Sequence, residues 1–293
     1  MSRSDKSGVL LSKNLLTFIP FVSWEILVHD IAIYYFSATG NSLAVAQSLA
    51  ASLEAPAPIS IPGSLISGDP YSAAAHAKTV GFVFPVQRAT IPEMLRGFIE
   101  AMPVSAQKYY FAIATYSLFG RNEFWDIDEL LRQKGAMLNY AAGVRMMGNV
   151  GLAHPSKATI NRRQEQMRAR ISDIALSVSY KQENYFPRAN RLLDKAVRRF
   201  TESRRRNLVF RIDKHCRHCG ICAQVCPAQN IQLPEKGQEV LAPIRSDRCM
   251  ACLACIHWCP AGAIGTPTHL HTRYHHPTVL PEQLHSMNTK DGS

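Results

Sequence analysis

CRHCGICAQVCP at 216–227 and CMACLACIHWCP at 249–260 repeat one pattern: Cys, two residues, Cys, two residues, Cys, three residues, Cys, Pro. The candidate ligands are Cys216, Cys219, Cys222 and Cys226, then Cys249, Cys252, Cys255 and Cys259, and these eight are all the cysteines of the chain. An iron–sulfur cubane needs a thiolate at each iron corner. Cysteines at i, i+3 and i+6 on a tight loop wrap three corners, and the fourth starts the run towards the other half and ligates the other cluster. The spacing therefore predicts two 4Fe–4S clusters. One is held by Cys216, Cys219, Cys222 and Cys259, the other by Cys249, Cys252, Cys255 and Cys226. Pro227 and Pro260 turn the chain away after each fourth cysteine. Zinc ribbons use two cysteines per unit rather than four. A disulfide framework belongs to secreted chains, and nothing else in this sequence points there.

With 293 residues, 46% of them hydrophobic and 19% charged, the chain is globular and long enough for more than one core. Exposed clusters and free thiolates imply a reducing cytoplasm and an anaerobe. The formal charge is +11, from 33 basic and 22 acidic residues. Two clusters at about −2 each lower it to about +7, and a phosphorylated flavin removes up to about 2 more. A basic surplus remains, suited to acidic redox partners, anionic membrane surfaces or nucleic acid.

Residues 1–29 read as an N-terminal extension outside the fold, or as the product of a start codon placed too early. Their apolar segment LLTFIPFVSW, interrupted by Pro20 and closed by Glu25, is too short to span a bilayer, so no transmembrane segment is expected. From Ile31 the pattern changes. IAIYYF is β-branched and aromatic, as a buried central strand should be. Ser37-Ala38-Thr39-Gly40-Asn41-Ser42 follows, then LAVAQSLAASL at helical period. Hydroxyls and backbone N–H groups thus gather at a helix N-terminus, where the dipole favours an anion. Asn41 or Ser42 is the expected N-cap. Neither a Walker lysine nor G-x-G-x-x-G is present.

The alternation continues. Strands are expected at 79–84, 109–114 and within 136–147, with a weak edge strand at 59–61. Helices are expected at 92–102, 124–134 and 158–179, the last with Met167, Ile171, Ile174, Ala175 and Val178 on one stripe. This is an α/β doubly wound parallel sheet followed by a small α+β dicluster domain. The loops at 37–42, 85–90 and 115–121 all follow strands and can converge on one crevice.

Residues 31–150 resemble flavodoxin, the Ser-x-Thr-Gly-Asn-Ser loop being similar to the one that holds the phosphate of FMN in that family. Joined to the cysteine block, residues 31–280 resemble the bacterial flavodoxin–ferredoxin fusions, as do MACLACIHWCPAGAI and TRYHHP. The resemblance implies FMN, with Ser37, Thr39, Gly40, Asn41 and Ser42 at its phosphate. Pro85, Val86 and Gln87, with Thr115, Tyr116, Phe119 and Gly120, would lie about its ring. Two features depart from the family pattern. Gln87 and Arg88 stand where relatives often carry an aromatic residue and glycines, and the third loop is not glycine-rich.

Residues 188–214 carry ten basic and three acidic residues, a net +7. They read as a basic helical linker (181–207) between a flavodoxin-like domain (30–180) and a ferredoxin-type domain (208–280). Its charge marks either a solvated helix face or a docking surface for an acidic redox partner. Nucleic acid ranks below these because no nucleic-acid-binding fold accompanies the charge. His269, His271, His275 and His276 lack partner cysteines and read as structural or solvent-facing. Residues 281–293 are polar and expected to be disordered. No acid–base dyad or nucleophile stands out, so no catalytic residue is assigned. The sequence reads as an electron-transfer protein. The alternatives are a ferredoxin whose flavodoxin-like part has lost FMN and serves as a docking module, and a redox sensor that binds nucleic acid through the linker.

Overall fold

The computed structural model describes residues 30–117, 122–148, 155–186, 196, 199–200, 210–232, 244–245, 248–266 and 273–285. The expected extension at 1–29, most of the linker, Phe119, Gly120, His269, His271 and the tail beyond 285 lie outside the described residues.

Strand β1 (Ile31–Tyr35) is followed by helix α1 (Asn41–Ser52), strand β2 (Ile59–Ser60), helix α2 (Ile61–Ser67) and helix α3 (Ser72–His76). Then come β3 (Thr79–Pro85), α4 (Glu93–Ala101), β4 (Tyr109–Tyr116), α5 (Glu123–Arg132), β5 (Tyr140–Arg145) and α6 (Lys157–Ser179). The strands form one parallel sheet in the order β2-β1-β3-β4-β5. That is the flavodoxin-like doubly wound order, with its switch point between β1 and β3.

Strand alternation sends neighbouring residues to opposite faces. Ile33, Tyr35, Val83, Phe111 and Ile113 pack with Leu43, Leu49, Ile171 and Ile174 from α1 and α6. Tyr34, Phe36, Phe82 and Phe84 pack on the other face with Leu95, Phe98, Ile127 and Leu131 from α4 and α5. The stripe expected on α6 is the set that is buried, and Ser156 caps that helix by accepting from Thr159 N–H at 3.2 Å. The weak stretch near 59 is a short edge strand, but Ile61 and Pro62 already belong to α2.

Two expectations change. Residues 181–186, placed in the linker from their polar composition, lie against the open edge of β5. The Asn184 side chain behaves as a strand fragment: its Oδ1 accepts from Ala141 N–H at 2.9 Å and its Nδ2 donates to Ala141 O at 2.7 Å. An edge with unpaired backbone groups is thereby closed. Residues 281–285 are ordered rather than frayed. A 3-10 turn at Pro281–Gln283 leads into fully buried Leu284. Tyr35 Oη donates to Gln283 O at 3.0 Å, and His285 Nε2 donates to Val225 O at 2.9 Å. The anchors are backbone carbonyls and one leucine, so polar composition gave no sign of them.

The C-terminal part contains two antiparallel strand pairs, Arg211–Ile212 with Ile264–Gly265 and Ile231–Gln232 with Ile244–Arg245, and helical turns at Ile221–Gln224 and Ala254–His257. Its own apolar core, around Cys222, Ile256 and Ile264, is small. Much of its remaining apolar surface (Val225, Ala254, Trp258, Val279, Leu284) joins the α1/α6 core of the sheet domain. Among the described residues no helix is long and apolar enough to cross a membrane.

Gly81 shows how closely the sheet packs, since a Cβ there would stand 2.0 Å from Cζ of Phe111. Gly81→Ala should therefore cost about 1–3 kcal/mol or more in urea unfolding. A loss too small to measure would mean that Phe111 moves aside freely.

Candidate functional site: a cysteine cage against a strand-end crevice

Cys226, Cys249, Cys252 and Cys255 line one cavity of about 380 Å³, otherwise walled by apolar side chains such as Phe210, Ile212, Leu253 and Ile264. Burial pushes the Cys252 thiol up to about 12, with Cys226 and Cys249 adding to the effect. Cys255 is raised well above its ordinary value, first by burial and then by Cys252, Cys226 and Cys249. Cys222 is pushed up to about 11 by burial, and further by Cys216, Cys219 and Cys259. The fourth cysteine of each half thus stands among the first three of the other. Asn230 N–H points at Cys226 Sγ (3.3 Å) and Ala251 N–H at Cys249 Sγ (3.4 Å), as donors to a thiolate should.

Thiols this buried stay protonated at neutral pH unless a metal takes the proton's place. A single tetrahedral ion needs sulfurs roughly 3.8 Å apart, from a metal–sulfur bond of about 2.3 Å. Among the described residues no three His, Cys, Asp or Glu side chains gather so tightly. The cysteines surround a cavity instead, which fits a cluster.

The second cavity, about 310 Å³, opens at the C-terminal ends of the strands. Ser37, Thr39, Asn41, Ser42, Pro85, Val86, Gln87, Thr115 and Tyr116 line it, as expected. So do Ala38, Arg88 and Ser117 of the same loops, and Met146, Met147, Gly148 and the cluster-loop residues Ala251, Cys252 and Leu253, which the sequence did not place there. Gly40 lies under the C-terminal segment, and Phe119 and Gly120 are outside the described residues.

Neither Asn41 nor Ser42 caps α1. The cap is Gly40, at φ 88°, a left-handed conformation that favours glycine, and its N–H is taken by Ser37 Oγ at 3.1 Å. Asn41 is occupied elsewhere: Nδ2 donates to Met147 O at 2.7 Å and Oδ1 accepts from Tyr274 Oη at 3.0 Å. Ser42 Oγ meets Thr115 Oγ1 at 2.8 Å. The α1 first-turn N–H groups and the Thr39 hydroxyl remain as donors for an anion. Gln87 Oε1 is buried in the crevice wall with no hydrogen-bond partner among the described residues. An atom in that condition wants a ligand N–H. Tyr116 is the aromatic residue in the described lining, lying across Gly143 of β5. An anion cradle, an orphaned acceptor and an aromatic face suit a phosphorylated flavin.

The two cavities share Cys252 and Leu253. Three contacts hold that junction. Trp258 Nε1 donates to Ala38 O at 2.9 Å while its ring stacks on His275 at 4.1 Å. His276 N–H donates to Thr39 O at 2.7 Å. Arg88 Nη1 donates to Met250 O at 3.1 Å. Arg88 and Ala89 form a two-residue turn between Gln87 and Thr90 at φ 51° and 62°, values that such turns usually reserve for Asn-Gly. Across the crevice Ala251 and Leu253 also have φ above 50°. Backbone held in this region costs energy and persists only where its surroundings fix it.

Residues 215–263 match the family described as 4Fe-4S dicluster domain. No curated protein matches the chain. Solved structures similar to it include the rubredoxin oxygen:oxidoreductase of the anaerobe Desulfovibrio gigas, at 19% identity and TM-score 0.37, over 52% of this chain and 37% of that one. A WrbA-like flavodoxin from Agrobacterium tumefaciens matches at 14% identity and TM-score 0.37, over 52% and 98%. Two-electron reduced Megasphaera elsdenii flavodoxin matches at 16% identity and TM-score 0.35, over 48% and 98%. The chain spans well under half the length of the Desulfovibrio protein. Here the fold rests on the strand order itself.

The chain is a flavodoxin-like domain fused to a dicluster ferredoxin domain. All eight cysteines lie in the part that matches the dicluster family, the ligand number that two 4Fe–4S clusters require.

Burial, and next the charge of His275, holds His276 down at about 4. The unfolded histidine, near 6.5, binds a proton where the folded one does not, so stability falls as pH drops from about 6.5 towards 4. The wild type should lose up to about 1.4 kcal/mol per pH unit more than His276→Gln in that window. Parallel pH profiles for the two proteins in urea unfolding would refute this.

Proposed function

We propose that the chain relays electrons between its two clusters and an FMN held in the strand-end crevice. Cys216, Cys219, Cys222 and Cys259 would hold one cluster, and Cys226, Cys249, Cys252 and Cys255 the other. The α1 first turn and Thr39 would hold the phosphate, Gln87 would accept from a ring N–H, and Tyr116 would offer its face to the ring. Clusters carry one electron at a time and a flavin one or two, so the pair joins one-electron traffic to a two-electron step.

One observation carries this reading: Cys252, a ligand candidate, forms part of the crevice wall. A domain kept only for docking has no need to bring a ligand loop onto the strand ends. The chain's own contribution is spacing and insulation. Trp258 and the 273–285 segment would fix the distance between the centres, and the apolar wall of Phe210, Ile212 and Ile264 would limit the water that reaches the inner cluster. The reading includes a reducing cytoplasm and an acidic redox partner.

Anaerobic purification, denaturation and assay of released flavin against iron test it. About one FMN per eight iron atoms is expected, from two four-iron clusters. Full iron without flavin, even after incubation with FMN, would leave a ferredoxin with a docking domain.

A further inference from the structure

The inner cage faces the crevice, while the outer one meets solvent. Cys219 is exposed, in contrast to Cys222 of the same half, which is buried. The nine residues that end on Cys219 carry Arg211, Lys214 and Arg217, all exposed, together with exposed His215 and His218. Asp213 is the acid within that run, and it is already bound: its Oδ1 accepts from His215 N–H at 2.8 Å and meets His215 Nδ1 at 3.1 Å. Among the described residues Arg211, Lys214 and Arg217 pair with no acid. The described part of the whole dicluster domain and its C-terminal segment holds six Arg and Lys (Arg211, Lys214, Arg217, Arg245, Arg248, Arg273) against two acids (Asp213, Glu282).

We infer that this rim is the port of the relay, where an acidic electron-carrier protein docks over the outer cluster and exchanges single electrons with it. The inference rests on the relay reading above, which makes the crevice the opposite terminus. Two features favour a protein carrier over nucleic acid. The cations ring the solvent-facing edge of a redox centre, which nucleic acid has no use for. No exposed Phe, Tyr or Trp stands in the run for bases to stack on. Attraction between the rim and an acidic face would speed encounter and orient the carrier with its centre against Cys219.

The test uses the dithionite-reduced holoprotein in anaerobic stopped flow, with cluster absorbance as the readout. Iron(III)–EDTA, an anion, takes one electron from a reduced cluster and becomes iron(II)–EDTA, with no proton or ligand transferred. Hexaamminecobalt(III), a cation, is the matched one-electron oxidant. For the wild type the anion rate should fall as ionic strength rises, because salt screens the attraction. Arg211→Glu/Arg217→Glu should slow the anion about tenfold at low salt and speed the cation. Arg168→Glu/Arg170→Glu, two exposed positions on α6 of the sheet domain, makes the same change in net charge and should shift both rates less than the 211/217 pair at every ionic strength, staying within about twofold at about 0.1 M, where the screening length is about 10 Å. Equal effects from the two double variants would show that net charge, not a port, sets the rate, and would overturn the inference. Unchanged anion rates in the 211/217 variant, with loss of binding to a duplex DNA probe, would assign the rim to nucleic acid and overturn it too. The readout is cluster oxidation, so the absence of flavin, which would sink the relay, is scored separately by cofactor assay.

Discussion

The hydrogen bond from the Trp258 indole to the Ala38 carbonyl joins the two halves of the molecule at the point where their chemistry meets. Ala38 belongs to the loop that ends β1, and Trp258 directly precedes Cys259. The bond is buried, so an Ala38 carbonyl without its donor would carry the full cost of a desolvated acceptor, about 1–3 kcal/mol. Around it the apolar residues of the dicluster domain continue the core beneath α1 and α6. Among the described residues the ferredoxin part has a small apolar cluster of its own. It borrows the sheet's core on one side and depends on iron–sulfur ligation on the other.

The sheet was legible because its strands are buried on both faces and read as unbroken β-branched and aromatic runs, from IAIYY to YYFAIA. The α6 stripe was legible for the complementary reason: one face of a long polar helix meets the core, and its period is visible. The cysteine cage was legible because ligand spacing is a local property of the chain. The junction was not, because it is made from backbone acceptors and single side chains. Nothing in the polar stretch after Pro281 marks Leu284 as buried, or marks the carbonyls of Gln283 and Leu284 as the partners of Tyr35. The N-cap of α1 illustrates the same point at short range. Asn41 has the right chemistry for a cap, but Met147 and Tyr274 claim its side chain from more than a hundred residues away.

Gln87 and Arg88 looked like departures from the flavodoxin pattern and acquire a reason in the folded chain. A glycine-rich loop would fit the tight turn with less strain. It would offer neither the buried Gln87 acceptor in the crevice wall nor the guanidinium that reaches Met250. The strained turn is kept in place by a contact that exists only because a second domain is present, as expected where backbone strain collects at a working site.

The wall that Cys252 and Leu253 form between the two cavities has a thermodynamic side. Cys252 and Leu253 shape both chambers, so an occupant of one that moves them alters the other, and the coupling free energy that results is reciprocal. Oxidative loss of the inner cluster would weaken the hold on a ligand in the crevice, and a well-seated ligand would in turn protect the cluster.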